Sequence, residues 1–250
     1  MVPMAYTMTS RRDFGDLASG KVLHSVPNFP AFPVRLADEI FRRAVAFVDG
    51  PDVSLWDPCC GSGYLATVVG FLNRDRLRDV VCSDISEEAI AVAARNLRLL
   101  SRDGLADRAR TQRARAAEFE KPGYADAADA AERLAVLLDA HGGDLPTRVV
   151  HANALDPASL AGALPPSAPD LVITDVPYGQ QTAWIDPAGA HDRDPLTRLS
   201  DALGAVLRPD AVVAICASGR KVTIRGGPPA LARFRLGTRS VVITRAGRPL

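Results

Sequence analysis

The chain has 250 residues, 47% of them hydrophobic and 24% charged, with a formal net charge of +1. That length and apolar content exclude a disordered chain and leave room for one large core in a soluble α/β domain. The balanced charge by itself points to no partner, and the four cysteines (Cys59, Cys60, Cys82, Cys216) match no zinc spacing, so reduced, packed thiols and no bound metal are expected.

The N-terminus lacks the apolar stretch of a signal peptide and no run approaches membrane-spanning length, so a cytoplasmic chain without a membrane partner is expected. Residues 1–32 read as an irregular extension with Arg11, Arg12, Lys21 and a Pro-Phe cluster; the folded domain is expected over 33–250. From Pro33, Leu36, Ile40, Ala44, Phe47 and Val48 fall at helical spacing, and Gly50-Pro51 ends the helix.

Strand and helix then alternate. Residues 53–56 read as strand, 64–71 as helix and 80–83 as strand; Ser86 caps a further helix lined by Ile90, Ala93, Leu97 and Leu100. Later strands are expected at 148–152, 171–174 and 211–216, with a helix over 195–207 before the last of these. This alternation implies a doubly wound, mostly parallel sheet. The tail differs: 234–236, Gly237-Thr238 and 240–244 read as an antiparallel hairpin. Residues 102–147 interrupt the rhythm and are too long for a loop, so a helical insertion is expected there. Its Arg108, Arg110, Arg113 and Arg115 do not share one helical face.

Charge is unevenly placed. Residues 219–250 hold eight basic side chains (Arg220, Lys221, Arg225, Arg233, Arg235, Arg239, Arg245, Arg248) and no acid, leaving the rest of the chain at −7. A polyanion-facing surface follows from that asymmetry. Against it stands the general bias of 27 Arg to 3 Lys, although the bias leaves the missing acids unexplained.

Two motifs carry chemistry. Asp175-Val176-Pro177-Tyr178 ends an apolar strand, and the proline stops the ladder there. An acid, freed carbonyls and an aromatic face at a strand's carboxyl end suit a planar nitrogen base: Tyr178 stacks on it, while Asp175 and a backbone carbonyl accept its N–H groups. Upstream, Asp57-Pro58-Cys59-Cys60-Gly61-Ser62-Gly63 joins strand to helix, with glycines that allow positive φ and close approach to a ligand. Asp84 ends the next strand, where a carboxylate takes both ribose hydroxyls. Gly61-x-Gly63-x-x-Ala66 also satisfies a relaxed dinucleotide fingerprint, so a dehydrogenase is a rival. Asp57 would crowd a pyrophosphate, however, and suits a ligand with a cationic amino-acid end.

Together these residues resemble the class I S-adenosylmethionine-dependent methyltransferases over roughly residues 33–246. Asp175-Val176-Pro177-Tyr178 resembles their signature for methylating planar nitrogens, with Val176 in place of the first proline. The form of the upstream motif and the helix at Pro33 look most like the guanine-modifying RNA branch, and the whole chain, insertion included, resembles the avilamycin-resistance 23S ribosomal RNA guanine methyltransferases. That resemblance implies a Rossmann-like sheet of seven strands with the last antiparallel, S-adenosylmethionine as cofactor, and 23S ribosomal RNA or the large subunit as partner. It also implies a guanine target (N1 favoured, N2 possible) and protection from an orthosomycin antibiotic.

The resemblance further implies that Gly61 and Gly63 pass the backbone beneath the cofactor, with Asp57 near its amino-acid end, Asp84 on the ribose and Ile85 against the adenine. Asn153 and the Ala154 N–H would meet the adenine edge; as a bare sequence feature, Asn153 is equally a loop cap. Asp175, Pro177 and Tyr178 would receive the base, and Asp175 is the nearest group to take a proton from a guanine ring nitrogen. Trp184 reads either as a stacking platform for a splayed base or as a buried loop anchor. Arg220, Lys221 and Arg225 are the expected phosphate contacts. Two alternatives stand beside this reading: a methyltransferase acting on DNA adenine or a protein glutamine, and a non-catalytic RNA-binding or assembly protein. Lone loop histidines, His24 and His191, are given no role.

Overall fold

A computed structural model of the chain describes residues 13–17, 21–27, 29, 31–164, 167–176, 184, 194–219, 221–224 and 226–247. Its centre is a seven-stranded sheet of β1 (Val53–Asp57), β2 (Leu77–Asp84), β3 (Thr147–His151), β4 (Leu171–Asp175), β5 (Val212–Ser218), β6 (Ala230–Leu236) and β7 (Arg239–Arg245), in the order β3-β2-β1-β4-β5-β7-β6. β1 pairs in parallel with β2 and β4, β2 with β3, and β4 with β5; β7 runs antiparallel between β5 and β6. The order reverses between β1 and β4, so the carboxyl ends of β1, β2 and β4 meet at the crevice where open α/β sheets bind ligands.

Alternate side chains of the central strands feed two apolar layers, as expected for a sheet covered on both faces. Leu55, Leu171, Ile173, Val212 and Ala214 face one layer. Trp56, Val172, Val213 and Ile215 face the other. The first layer is covered by α1 (Val34–Val45), α2 (Tyr64–Leu72) and α3 (Glu87–Arg98); the second by α6 (Pro157–Ala163) and α7 (Pro195–Val206). Trp56 is wholly buried, and its Nε1 donates to Ser83 Oγ at 3.0 Å, so the indole adds area without an unmet donor.

Helix starts follow local chemistry. Ser86 Oγ accepts from Ala89 N at the head of α3, whose first turn holds Glu87 and Glu88 and whose last holds Arg95 and Arg98. Asp156 caps α6 and Asp194 caps α7, each followed by proline at the first helical position. Between α3 and β3 the chain forms α4 (Arg102–Phe119) and α5 (Pro122–Ala140). α5 buries Ala127, Ala130, Ala131, Leu134 and Leu138. Ser101 caps α4 through Gly104 N, and a Cβ at Gly104 would lie 1.9 Å from Arg98 O, so only glycine fits the corner with α3.

Several elements differ from the sequence expectation, β2 for one beginning at Leu77, three residues early. α6 has no counterpart in it, because Pro-Ala-Ser-Leu-Ala-Gly-Ala offers too few large apolar side chains to show a helical period. β6 begins at Ala230, four residues before the expected strand, with a register shift between Ala230 and Ala232. No helix among the described residues is long and apolar enough to cross a membrane.

Candidate active site

The turn after β1 is held from several sides. Cys60 N donates to Ser83 O at 3.0 Å, and Gly63 N to Cys60 O at 2.8 Å. Gly61 and Gly63 have φ of 52° and 69°, a region that costs other residues about 1–2 kcal/mol. Gly63 is also sterically required: a Cβ there would lie 2.9 Å from Leu97 Cδ1 and 3.1 Å from Ala93 Cα, on α3. Gly61 is open by comparison, its nearest neighbour being the Phe29 ring at 3.5 Å from such a Cβ.

Three carboxylates gather at this edge. Asp57, at the end of β1, is 2% exposed and accepts from Cys59 N at 3.3 Å. Burial pushes its carboxyl up to about 7, further raised by Asp84 and Asp175. The Thr174 hydroxyl lies close enough to oppose that shift, yet its buried oxygen makes no hydrogen bond of good geometry. Asp84, at the end of β2, accepts from Gly61 N at 2.8 Å through Oδ2 and from Ser86 N at 3.0 Å through Oδ1. Burial raises its carboxyl too, against those donated N–H groups.

Asp175, at the end of β4, faces a cation that the sequence reading assigned to the basic tail. Arg239 Nη1 reaches its two oxygens at 2.7 and 2.6 Å, with the guanidinium 4.8 Å over the Phe32 ring. Burial raises the Asp175 carboxyl while Arg239 pulls it down. Val176 N donates to Cys216 O at 2.9 Å, so the chain is still tied to β5 as it leaves the strand. Pro177 and Tyr178 lie outside the described residues, as do Arg220, Arg225 and His191.

The remaining expected site residues fall on the same sheet edge with different engagements. Ile85 is half-buried, and its carbonyl lies 2.8 Å from His151 Nε2. Asn153 N donates to Ser159 Oγ, and Asn153 Oδ1 accepts from Leu155 N at 3.0 Å, the local turn that makes this residue a loop cap. Ala154 is buried in the second apolar layer. Trp184 is half-buried and packs on that layer. Lys221 is exposed.

Sequence reasoning missed two participants. Arg239 carried no local signal, since its contact with Asp175 exists only once β7 lies beside β5. Asn96 did carry one: it is a polar residue on the apolar face of α3, beside Ala93 and Leu97. It is wholly buried, donating Nδ2 to Ser62 O at 2.8 Å and to His24 O at 2.9 Å, and accepting from His24 N at 2.7 Å. Those bonds tie the segment before α1 to the glycine turn.

The donor set favours a cationic ligand with hydroxyl groups. Two of the three acids, Asp57 and Asp84, have no cationic partner within hydrogen-bonding distance among the described residues, and burial disfavours their ionised forms. A pyrophosphate at this turn would meet Asp57 and Asp84 directly. No group of three or more His, Cys, Asp or Glu among the described residues is arranged to hold a metal ion.

Comparison with known proteins gives a consistent answer. The family model for the rRNA methyltransferase AviRa matches residues 4–239. A 23S rRNA (guanine(2535)-N(1))-methyltransferase of Streptomyces viridochromogenes is 48% identical over 238 residues, covering 94% of this chain and 93% of its own. The crystal structure of the rRNA methyltransferase AviRa from the same organism superposes with a TM-score of 0.89 at 46% identity, over 97% of both chains. TrmN from Thermus thermophilus, at 17% identity and a TM-score of 0.50 over 86% of this chain and 49% of its own, shares the fold alone.

Proposed function

The chain belongs to the AviRa rRNA methyltransferase family, and from that premise we propose that it methylates N1 of a guanine in 23S ribosomal RNA with S-adenosylmethionine as donor. The observation that carries the cofactor assignment is the acid-lined edge around a positive-φ turn. Asp57 would hold the cationic amino-acid end, and Asp84 the ribose hydroxyls. Gly61 leaves the backbone open to the ligand, while Gly63 sets the close packing of α2 on α3. When bound, the cofactor supplies an electrophilic methyl group whose carbon–sulfur bond breaks as the new carbon–nitrogen bond forms.

Positioning accounts for most of what the protein must add. Guanine N1 bears a proton, so its lone pair becomes available for attack as that proton leaves. Asp175 accepts it, at a carboxylate that burial makes more basic and Arg239 keeps in one orientation. Pro177 and Tyr178 are the residues proposed to receive the base, Tyr178 by stacking on it. N1 rather than N2 follows the reaction named for the 48% identical relative. A ribosomal substrate puts the work in the cytoplasm, and protection from an orthosomycin antibiotic is the expected phenotype.

The test is transfer of labelled methyl from S-adenosylmethionine to purified 23S RNA, with 16S RNA as control. Label in 23S RNA alone supports the assignment; no label in either, from protein that binds the cofactor, overturns it.

A further inference from the structure

We propose that a cationic cluster formed by α3, α4 and the segment before α1 is a docking surface for the phosphate backbone of the RNA substrate, separate from the basic C-terminal tail. This rests on the RNA-methylating reading above.

α4 divides its arginines. Arg110 pairs with Asp107, and Arg113 with Asp129 and Glu132, on the side turned toward α5 and solvent. Arg108 and Arg115 lie seven residues apart, hence on one face and about 10 Å apart along the axis. Arg108 is half-buried, with Nε 2.8 Å from Val22 O and Nη2 3.2 Å from Lys21 O. Arg115 and α3's Arg95 are exposed near it, and Lys21 is exposed on the same segment.

Asp16 lies near Lys21 but is paired with Arg133. Among the described residues neither Arg95 nor Arg115 forms an ion pair, and Asp107 is taken by Arg98 and Arg110. The like charges act on one another: Arg115 and Arg95 depress the guanidinium of Arg108, after burial, and all three hold His24 down at about 4, again after burial. Such crowding destabilises the free protein and is relieved by a polyanion, which releases counterions on binding. Two arginines about 10 Å apart on one helix face, with a third on a neighbouring helix, fit successive backbone phosphates better than one small anion.

The cluster is also coupled to the methyl-transfer edge. His24 N and O are both bonded to Asn96, which holds Ser62 O in the glycine turn. The same segment runs on to Phe29 beside Gly61. The segment before α1 therefore joins the cluster to the cofactor turn.

The experiment measures binding of wild type and the Arg95→Gln/Arg115→Gln double variant to a 23S RNA fragment between 50 and 300 mM salt. Cofactor affinity and melting temperature are measured in parallel. Both substitutions sit at exposed helical positions. The proposal expects the slope of log K against log salt to fall by about 1.4–1.8, the release from two phosphates, with cofactor affinity and melting unchanged. Arg115→Gln alone should give half that change, should the double variant fold poorly. An unchanged slope in a folded variant overturns the docking surface while leaving the methyltransferase reading intact. Absence of methyl transfer by the wild type, with the slope still reduced, overturns that reading instead.

Discussion

Arg239 and Asp175, 64 residues apart in sequence, meet at the sheet edge with Nη1 2.6 and 2.7 Å from the two carboxylate oxygens. The Arg239 side chain is 13% exposed and that of Asp175 21%. Arg239 therefore opposes the upward push of burial on this carboxyl and fixes its direction at the point where a base would enter. Losing one partner of a buried pair is costly because the other is left unmatched. Arg239→Ala should lower stability by about 2–3 kcal/mol, short of the fully buried range because both groups touch solvent. Arg239→Lys should recover part of the stability but less of the methyl-transfer rate, since an ammonium does not fix the carboxylate plane. Urea melts and single-turnover transfer separate the two effects.

Asp175→Ala should retain cofactor affinity while the transfer step slows by roughly 10²–10³, the range for one positioned polar group. Calorimetry with S-adenosylmethionine and single-turnover methylation together check it. Near-normal transfer by a folded variant would remove Asp175 from the reaction.

Asp84 has two tasks, and variants can divide them. Its Oδ2 accepts from Gly61 N, so it braces the turn as well as facing the ribose. Asp84→Ala should weaken cofactor binding by about 1.5–3 kcal/mol. Asp84→Asn, which can accept from Gly61 N or Ser86 N but not from both, should lose less stability than Asp84→Ala while losing most of that affinity. Equal affinity of Asn and wild type would show that the charge does not hold the ligand.

Gly63→Ala meets both a positive φ and the α3 backbone at 3.1 Å. Strain and overpacking together should cost about 2–4 kcal/mol. Gly61→Ala, with only the Phe29 ring nearby, should cost less in stability. Denaturant midpoints of the two variants give the comparison.

Asp57 makes stability depend on pH in a defined direction. Its carboxyl stands at about 7 in the fold against 3.8 in a model peptide, so the folded state binds the proton more tightly. Stability from this group is greatest below about pH 4, declines as pH rises through 4 to 7, and is level above 7. Asp57→Asn should flatten that decline relative to wild type in urea titrations at pH 5, 6, 7 and 8. Parallel curves would mean that Asp57 is ionised throughout. Binding of a ligand with a cationic end should release a proton near pH 6.5, visible as buffer-dependent heat.

The acids of the site were readable because each ends an apolar run: the burial pattern of a strand stops at Asp57, Asp84 and Asp175. Their partners were not readable. Arg239 reaches Asp175 through the antiparallel return of β7, a relation that no local spacing encodes. Within the basic tail, Arg239 is paired with Asp175, while Arg233 and Arg245 keep their charge and donate to the carbonyls of Val222 and Asp210. In α4, four arginines off one face looked undirected, and only the placement of Asp107, Asp129 and Glu132 shows which two are neutralised.

The most direct test of the account identifies the product. A methyl on guanine N1 removes the Watson–Crick donor, so reverse transcription of treated 23S RNA should halt one nucleotide short of the modified base. Nucleoside mass spectrometry of the same RNA should show one 1-methylguanosine per molecule beyond the untreated control. Transfer without a halt, with the label in N2-methylguanosine or in adenosine, would contradict the account.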